Sequence, residues 1–170
     1  MLLLKRMNWC MLAIQSIALP FLTLGLQQLQ LIRWVSFIQA YNRHGFEGIR
    51  QVLPPEMSGA ELITGIVVGP HYAAASALLM GCLFSTLVVW RRQESKLLPL
   101  LLLGVAILLS RTGYARSTVV LKILAGLRWP FEQWPVEVRL GLVGCTLVGV
   151  GTGLFWLTWK RYSYSSKPTT

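Results

Sequence analysis

The segment Leu140–Trp159, LGLVGCTLVGVGTGLFWLTW, holds 20 consecutive residues without a charged side chain. An α-helix rises about 1.5 Å per residue, so a helix of this length spans the ~30 Å hydrocarbon core of a bilayer. Lys160 and Arg161 follow it directly, as expected where a helix reaches the membrane surface. The segment therefore predicts a transmembrane helix, and with it an all-α integral membrane protein.

Three further apolar runs lie upstream of this segment. Residues 7–26 and 71–90 are each long enough to cross a membrane. Residues 97–115 cross it only if Arg111 extends its side chain to the surface. The sequence therefore predicts one membrane domain, residues 1–170, with four transmembrane helices in two tandem hairpins. A polar tail, residues 160–170, ends the chain.

The two longer connections, residues 27–70 and 116–139, mix charged and apolar side chains. Between Gln27 and Leu53 the apolar residues recur about every three positions, close to helical spacing. Both connections predict amphipathic segments in the membrane interface on the outer side, and a soluble extension of the first span is the alternative for residues 27–53. In the first connection, residues 62–69 are expected to form a short interfacial segment leading into the second span. For the third span, a half-span or a helix that continues to Leu127 is the alternative.

Composition also indicates a lipid-facing surface. Hydrophobic residues make up 54% of the 170-residue chain and charged residues 13%, against about 25% in soluble domains. Mean hydropathy is +0.56. The net charge of +10 comes from short basic clusters beside apolar runs, a pattern typical of membrane orientation signals and not of a nucleic-acid groove. The three cysteines are dispersed, so neither a disulfide framework nor a zinc site is expected.

Basic and aromatic residues assign the two sides of the membrane. Lys and Arg are densest on the short segments that hold both termini, so we expect both termini in the cytoplasm, at the cell membrane. Trp and Tyr near both expected boundaries fit this arrangement. Anionic lipid headgroups are the expected partners of one cytoplasmic basic cluster: Arg91, Arg92, Lys96, Lys160 and Arg161.

Small residues recur every four positions in two of the expected spans. In each span they form one continuous helix face, which allows close packing between helices in lipid. We expect the two faces to contact each other or a partner subunit. The faces are Ala73, Ala77, Gly81 and Ser85 in the second span, and Gly141, Cys145, Gly149 and Gly153 in the fourth.

The sequence contains no recognisable catalytic constellation. All six acidic residues are Glu, and none lies at the centre of an expected span. No nucleophile, zinc or nucleotide-binding motif is present, and no metal site is expected. His71 and Arg111 form the candidate polar site. His71 could contact haem or a quinone, although a histidine at the headgroup level is the simpler interpretation.

These features favour a non-catalytic accessory subunit of a larger membrane complex, one that aids assembly or stability through helix packing and lipid contacts. Two alternatives remain open. A small carrier or lipid-handling protein would hold a cavity lined by polar span residues: Gln15, Ser16, Ser76, Ser85 or Thr146. A redox or enzymatic subunit would use His71 with Arg111 or the outer Glu residues.

Overall fold

The computed structural model describes residues 8–92, 96–111 and 117–161, which fold into helices and contain no strand. The helices are α1 Trp9–Ile32, α2 Val35–Val52, α3 Gly59–Arg92, α4 Leu97–Arg111, α5 Thr118–Arg128 and α6 Val136–Arg161, with a 3-10 turn at Trp129–Phe131. Three of these helices, α1, α3 and α6, are long and apolar enough to cross a membrane, as expected for a multi-pass membrane protein.

The expected four spans in two tandem hairpins are not confirmed. α4 has 15 residues, about 22 Å of helix, which is shorter than the ~30 Å hydrocarbon core. The rest of the expected third span, residues 112–115, lies outside the described part of the chain. The polar tail beyond Arg161 lies outside it too.

α1 packs against both other long helices. Against α3, Leu19 lies at Gly81 and Gln30 lies at Gly69, so the two helices run antiparallel. The side-chain amide of Gln27 adds a hydrogen bond of 3.2 Å to the carbonyl of Pro70. α6 packs along another face of α1, so the first and last apolar helices of the chain are direct neighbours.

α3 is one continuous helix of 34 residues, about 51 Å long. The sequence predicted a division at Pro70, with an interfacial segment at residues 62–69 and a span at 71–90. The structure instead continues the helix through Pro70. Proline removes a single backbone N–H donor, and the apolar residues on both sides of it remain helical. The helix therefore exceeds the bilayer thickness, and its first turns pack against α2.

α2 is the amphipathic helix expected after the first span. Its apolar side packs on the start of α3 through a buried cluster of Trp34, Phe37 and Leu62. At Gly45 the backbone φ is +62°, a conformation that favours glycine, and the helix kinks there. A capping box, Ser58–Glu61, begins α3: the Glu61 carboxylate accepts the Ser58 N–H at 2.8 Å, and the Ser58 hydroxyl accepts the Glu61 N–H at 3.2 Å.

The two shorter helices pack on the bundle through separate apolar clusters. Leu98 and Leu102 of α4 are fully buried in a core cluster with Met11 of α1. Leu124 of α5 is buried in a second cluster that includes Leu147, near the middle of α6. The expected outer connection 116–139 thus contains a helix that lies alongside α6.

Candidate functional site

A close contact between backbones joins α1 and α6. A Cβ atom at Gly25 would stand 2.8 Å from the Val148 nitrogen and 2.9 Å from the Gly144 carbonyl oxygen. A Cβ at Gly144 would stand 2.7 Å from Cγ of Leu29. Side chains larger than hydrogen do not fit at these positions, so the glycines allow the two backbones to lie this close.

The contact extends over most of both helices in one antiparallel register. Its α1 residues recur at spacings of four and three, the pattern of helices packed along their length. This face of α1 was not predicted from the sequence, although the spacing of its residues is present in the first 32 residues of the chain. The paired residues are Gln15–Thr158, Leu22–Gly151, Gly25–Val148, Leu29–Gly144 and Ile32–Gly141.

Buried polar side chains lie toward the end of the bundle where α1 begins and α6 ends. The Gln15 amide donates to the Thr158 hydroxyl at 3.3 Å, and that hydroxyl donates to the Phe155 carbonyl at 2.6 Å. Ser85 of α3 is also fully buried. Neither Gln15 Oε1 nor Ser85 Oγ has a hydrogen-bond partner within the described ranges. Gln15 and Ser85, expected to line a carrier cavity, are packed between helices instead.

The small residues expected on the second span pack inside the chain. A Cβ at Gly81 would stand 3.1 Å from Leu19 of α1 and 3.2 Å from Phe155 of α6. This face therefore packs on α1 and on a large residue of α6, and not on the small residues expected in the fourth span. Of its members, Ala73 is half-buried, and Ala77, Gly81 and Ser85 are buried.

Three small residues of α6 face away from α1, and we call them the outer strip: Cys145, Gly149 and Gly153. No heavy atom of the described chain, apart from the helix backbone and chain neighbours, lies within 4 Å of a Cβ placed at Gly149 or Gly153. Cys145 is exposed. Gly141, the fourth member of the predicted face, is half-buried and lies 3.7 Å from Ile32. Contact of the outer strip with a partner subunit stays a prediction.

Two members of the predicted basic cluster lie at one end of the bundle. The Arg91 guanidinium lies 4.9 Å from the ring centre of Trp159, and the Lys160 ammonium lies 5.0 Å from that of Trp156. Such contacts hold the cations beside aromatic rings that favour the membrane interface. Headgroup binding stays a prediction. Lys96 is exposed, and the side chains of Arg92 and Arg161 lie outside the described part of the chain.

His71 and Arg111 are both exposed. The Nδ1 atom of His71 lies 3.0 Å from the Val67 carbonyl of its own helix, a contact that orients the ring along α3. Among the described residues, no group of three or more His, Cys, Asp or Glu side chains could hold a metal ion. A haem or quinone contact at His71 stays a prediction.

An apolar cavity of about 220 Å³ lies between α1, α3 and α4. Its lining includes Pro20 and Thr23 of α1, Leu78 of α3 and Ile107 of α4. None of the five polar residues expected to line a carrier cavity takes part in it. Typical ligand pockets hold about 300–1,000 Å³, so this cavity suits part of an acyl chain better than a whole ligand.

An open cleft of about 770 Å³ lies where α1, α2 and α3 meet. Trp34, Glu56 and Glu61 are among its lining residues. The Arg33 guanidinium at its edge lies 5.4 Å from the Trp34 ring centre, and Glu61 is engaged by the capping box. The buried Nε1 atom of Trp34 has no hydrogen-bond partner in the described chain, and the cleft by itself identifies no ligand.

No family model, curated protein or solved structure matches this chain, so its function has to be argued from its residues and their geometry.

Proposed function

We propose that this protein is a non-catalytic accessory subunit of a larger membrane protein complex, and that α6 docks on a transmembrane helix of another subunit. One observation carries the proposal. The outer strip, Cys145, Gly149 and Gly153, forms a small-residue face that the described chain leaves uncovered.

Helices in lipid associate without a hydrophobic driving force between them. Lipid tails are as apolar as leucine, so association depends on close van der Waals packing, which small residues permit. The chain itself packs this way on the opposite face of α6, where Gly144 and Gly151 meet α1. α6 therefore carries two faces suited to close packing, and one of them has no neighbour within the described chain.

Other outward surfaces of the bundle differ from the outer strip. α3 exposes Leu79, Leu83 and Trp90, and α4 exposes Leu100 and Leu108. Large flexible side chains of this kind are suited to contact with lipid. A groove of glycine and cysteine offers lipid chains little contact, whereas it accepts the ridge of another helix.

The test is co-purification of the tagged, full-length protein in mild detergent. Gly149→Leu places a bulky side chain in the outer strip and should remove a stoichiometric partner that the native chain retains. Gly104→Leu is the matched control, because a Cβ at this α4 glycine also has no heavy atom within 4 Å. The control variant should retain the partner.

Three outcomes would oppose the proposal. The native chain could purify alone and monodisperse, or Gly149→Leu could retain the same partner as the control variant. A complex consisting of copies of this chain alone would replace the accessory role with self-association.

A further inference from the structure

Two arginines lie where helix α5 ends and helix α6 begins. Leu124 of α5 shares a buried cluster with Val143 and Leu147 of α6, so the two helices pack side by side. Arg128 is the last residue of α5 and Arg139 the fourth of α6. The Nη1 atom of Arg139 lies 3.5 Å from the carbonyl of Glu132, in the connection that follows Arg128, so both arginines belong to this edge of the bundle.

Among the described residues, the guanidinium group of Arg128 makes one side-chain hydrogen bond. Its Nη2 donates to Oε1 of Gln28, a buried side chain of α1. Its Nε is buried and has no hydrogen-bond partner in the described chain. Burial, and next the positive charge of Arg139, lower the pKa of Arg128. The environment thus lacks the negative charge that a half-buried guanidinium normally has nearby.

The nearby acidic residues do not supply that charge. Glu132 and Glu137 flank the turn between α5 and α6, yet the ion pair found among the described residues is Arg50–Glu47, on α2. Arg139 donates to the backbone carbonyl of Glu132, and only at 3.5 Å. Both guanidinium groups therefore keep donors for an anion that the described residues do not provide.

The surroundings indicate the membrane surface as the source of that anion. Trp129 and Trp134, in the turn beside the two arginines, are largely exposed. Exposed tryptophans at the end of an apolar bundle typically lie at the headgroup level. Ile123 of α5 is exposed on the side that would face lipid.

We propose that Arg128 and Arg139 form a binding site for the phosphate of an anionic phospholipid. The planar guanidinium group presents paired N–H donors that match phosphate oxygens, and two such groups provide the charge for one phosphodiester. The acyl chains would lie along α5 and the apolar part of α6. This site lies at the other end of the bundle from Arg91 and Lys160, and it does not depend on the proposed docking of α6.

The experiment measures lipid binding to the purified full-length chain in detergent. The probes are phosphatidylglycerol, phosphatidylcholine and inorganic phosphate, and bound lipid is quantified by native mass spectrometry. Arg139→Gln is the main variant, because it preserves the hydrogen bond from Arg128 to Gln28. Arg128→Gln is the second variant. Arg43→Gln removes an equal charge from the exposed side of α2 and serves as the control.

We expect the native chain to prefer phosphatidylglycerol over phosphatidylcholine, and Arg139→Gln to weaken phosphatidylglycerol binding about tenfold, the loss expected for a charge-assisted hydrogen bond. Arg43→Gln should bind as the native chain does. Equal binding of the two lipids, or unchanged binding by Arg139→Gln, would overturn the proposal. Inorganic phosphate that binds as tightly as phosphatidylglycerol would overturn the assignment to a lipid.

Discussion

Replacing Gly25 by alanine tests the contact between α1 and α6 directly. The added methyl carbon would lie 2.8 Å from the Val148 nitrogen and 2.9 Å from the Gly144 carbonyl oxygen. Non-bonded heavy atoms are most stable at about 3.5–4.0 Å. Both obstacles are backbone atoms, so no side-chain rotation relieves the overlap, and the helices must separate locally by about 0.7 Å.

Two opposing effects set the magnitude for Gly25→Ala. Overpacking of a close contact costs about 1–3 kcal/mol of stability. Alanine is the better helix former and returns up to about 1 kcal/mol. We therefore expect the free energy of unfolding to fall by about 0–2 kcal/mol relative to the native chain, and by about 1–3 kcal/mol relative to a glycine-to-alanine control that gains the same helix propensity.

Unfolding of the purified protein in mixed micelles, driven by increasing SDS, provides the measurement. Gly104→Ala is the matched control, because it makes the same change in α4, where the new methyl group meets no heavy atom within 4 Å. The control should be as stable as the native chain or slightly more stable. If Gly25→Ala is as stable as Gly104→Ala, the α1–α6 contact described above is refuted.

Two further substitutions test other contacts. Thr158→Val removes the hydroxyl that Gln15 binds at 3.3 Å and should cost about 0.6–1.7 kcal/mol in the same unfolding assay. In a double-mutant cycle, that cost should become smaller when Gln15 is already methionine, since the substitution then removes only the hydrogen bond to the Phe155 carbonyl, and additive losses would contradict the Gln15–Thr158 interaction. The methyl group of Gly65→Ala would overlap the Trp34 indole, so this variant should be cleaved faster by a protease in the exposed segment before α3. Gly59→Ala is the control, because a Cβ at Gly59 has no heavy atom within 4 Å, and its cleavage rate should not change. Equal cleavage rates of the two variants would contradict the packing of Trp34.

The sequence alone predicts that this chain has helices suited to lipid. A long uncharged apolar run is unfavourable in contact with water, whereas it is stable as a helix in the hydrocarbon core of a membrane. Residues 140–159 predict a helix that lies within α6, and the expected span 7–26 is helical from Trp9 onward, as part of α1. The amphipathic pattern after Gln27 likewise predicts a helix that the structure contains as α2. Each of these inferences depends only on the residues of one segment.

The extent of the second span was harder to predict. A proline in an apolar run can end a helix or be accommodated within it, and the neighbouring residues decide which. At Pro70 the helix continues, and the Gln27 amide binds the proline carbonyl. That partner lies 43 residues away in sequence, so local pattern does not reveal it.

The sequence by itself determined that this is a chain of apolar helices with small residues on several faces. Tertiary structure alone decided that Gly144 and Gly151 pack against α1, while a Cβ at Gly149 or Gly153 would meet no atom of the described chain. It also decided that Arg128 binds Gln28 of α1. Hydrophobicity does not select between faces of a helix in lipid, since the tails are as apolar as the side chains. The selection comes from the fit of two surfaces more than 100 residues apart in sequence, which exists only once both helices are folded and side by side.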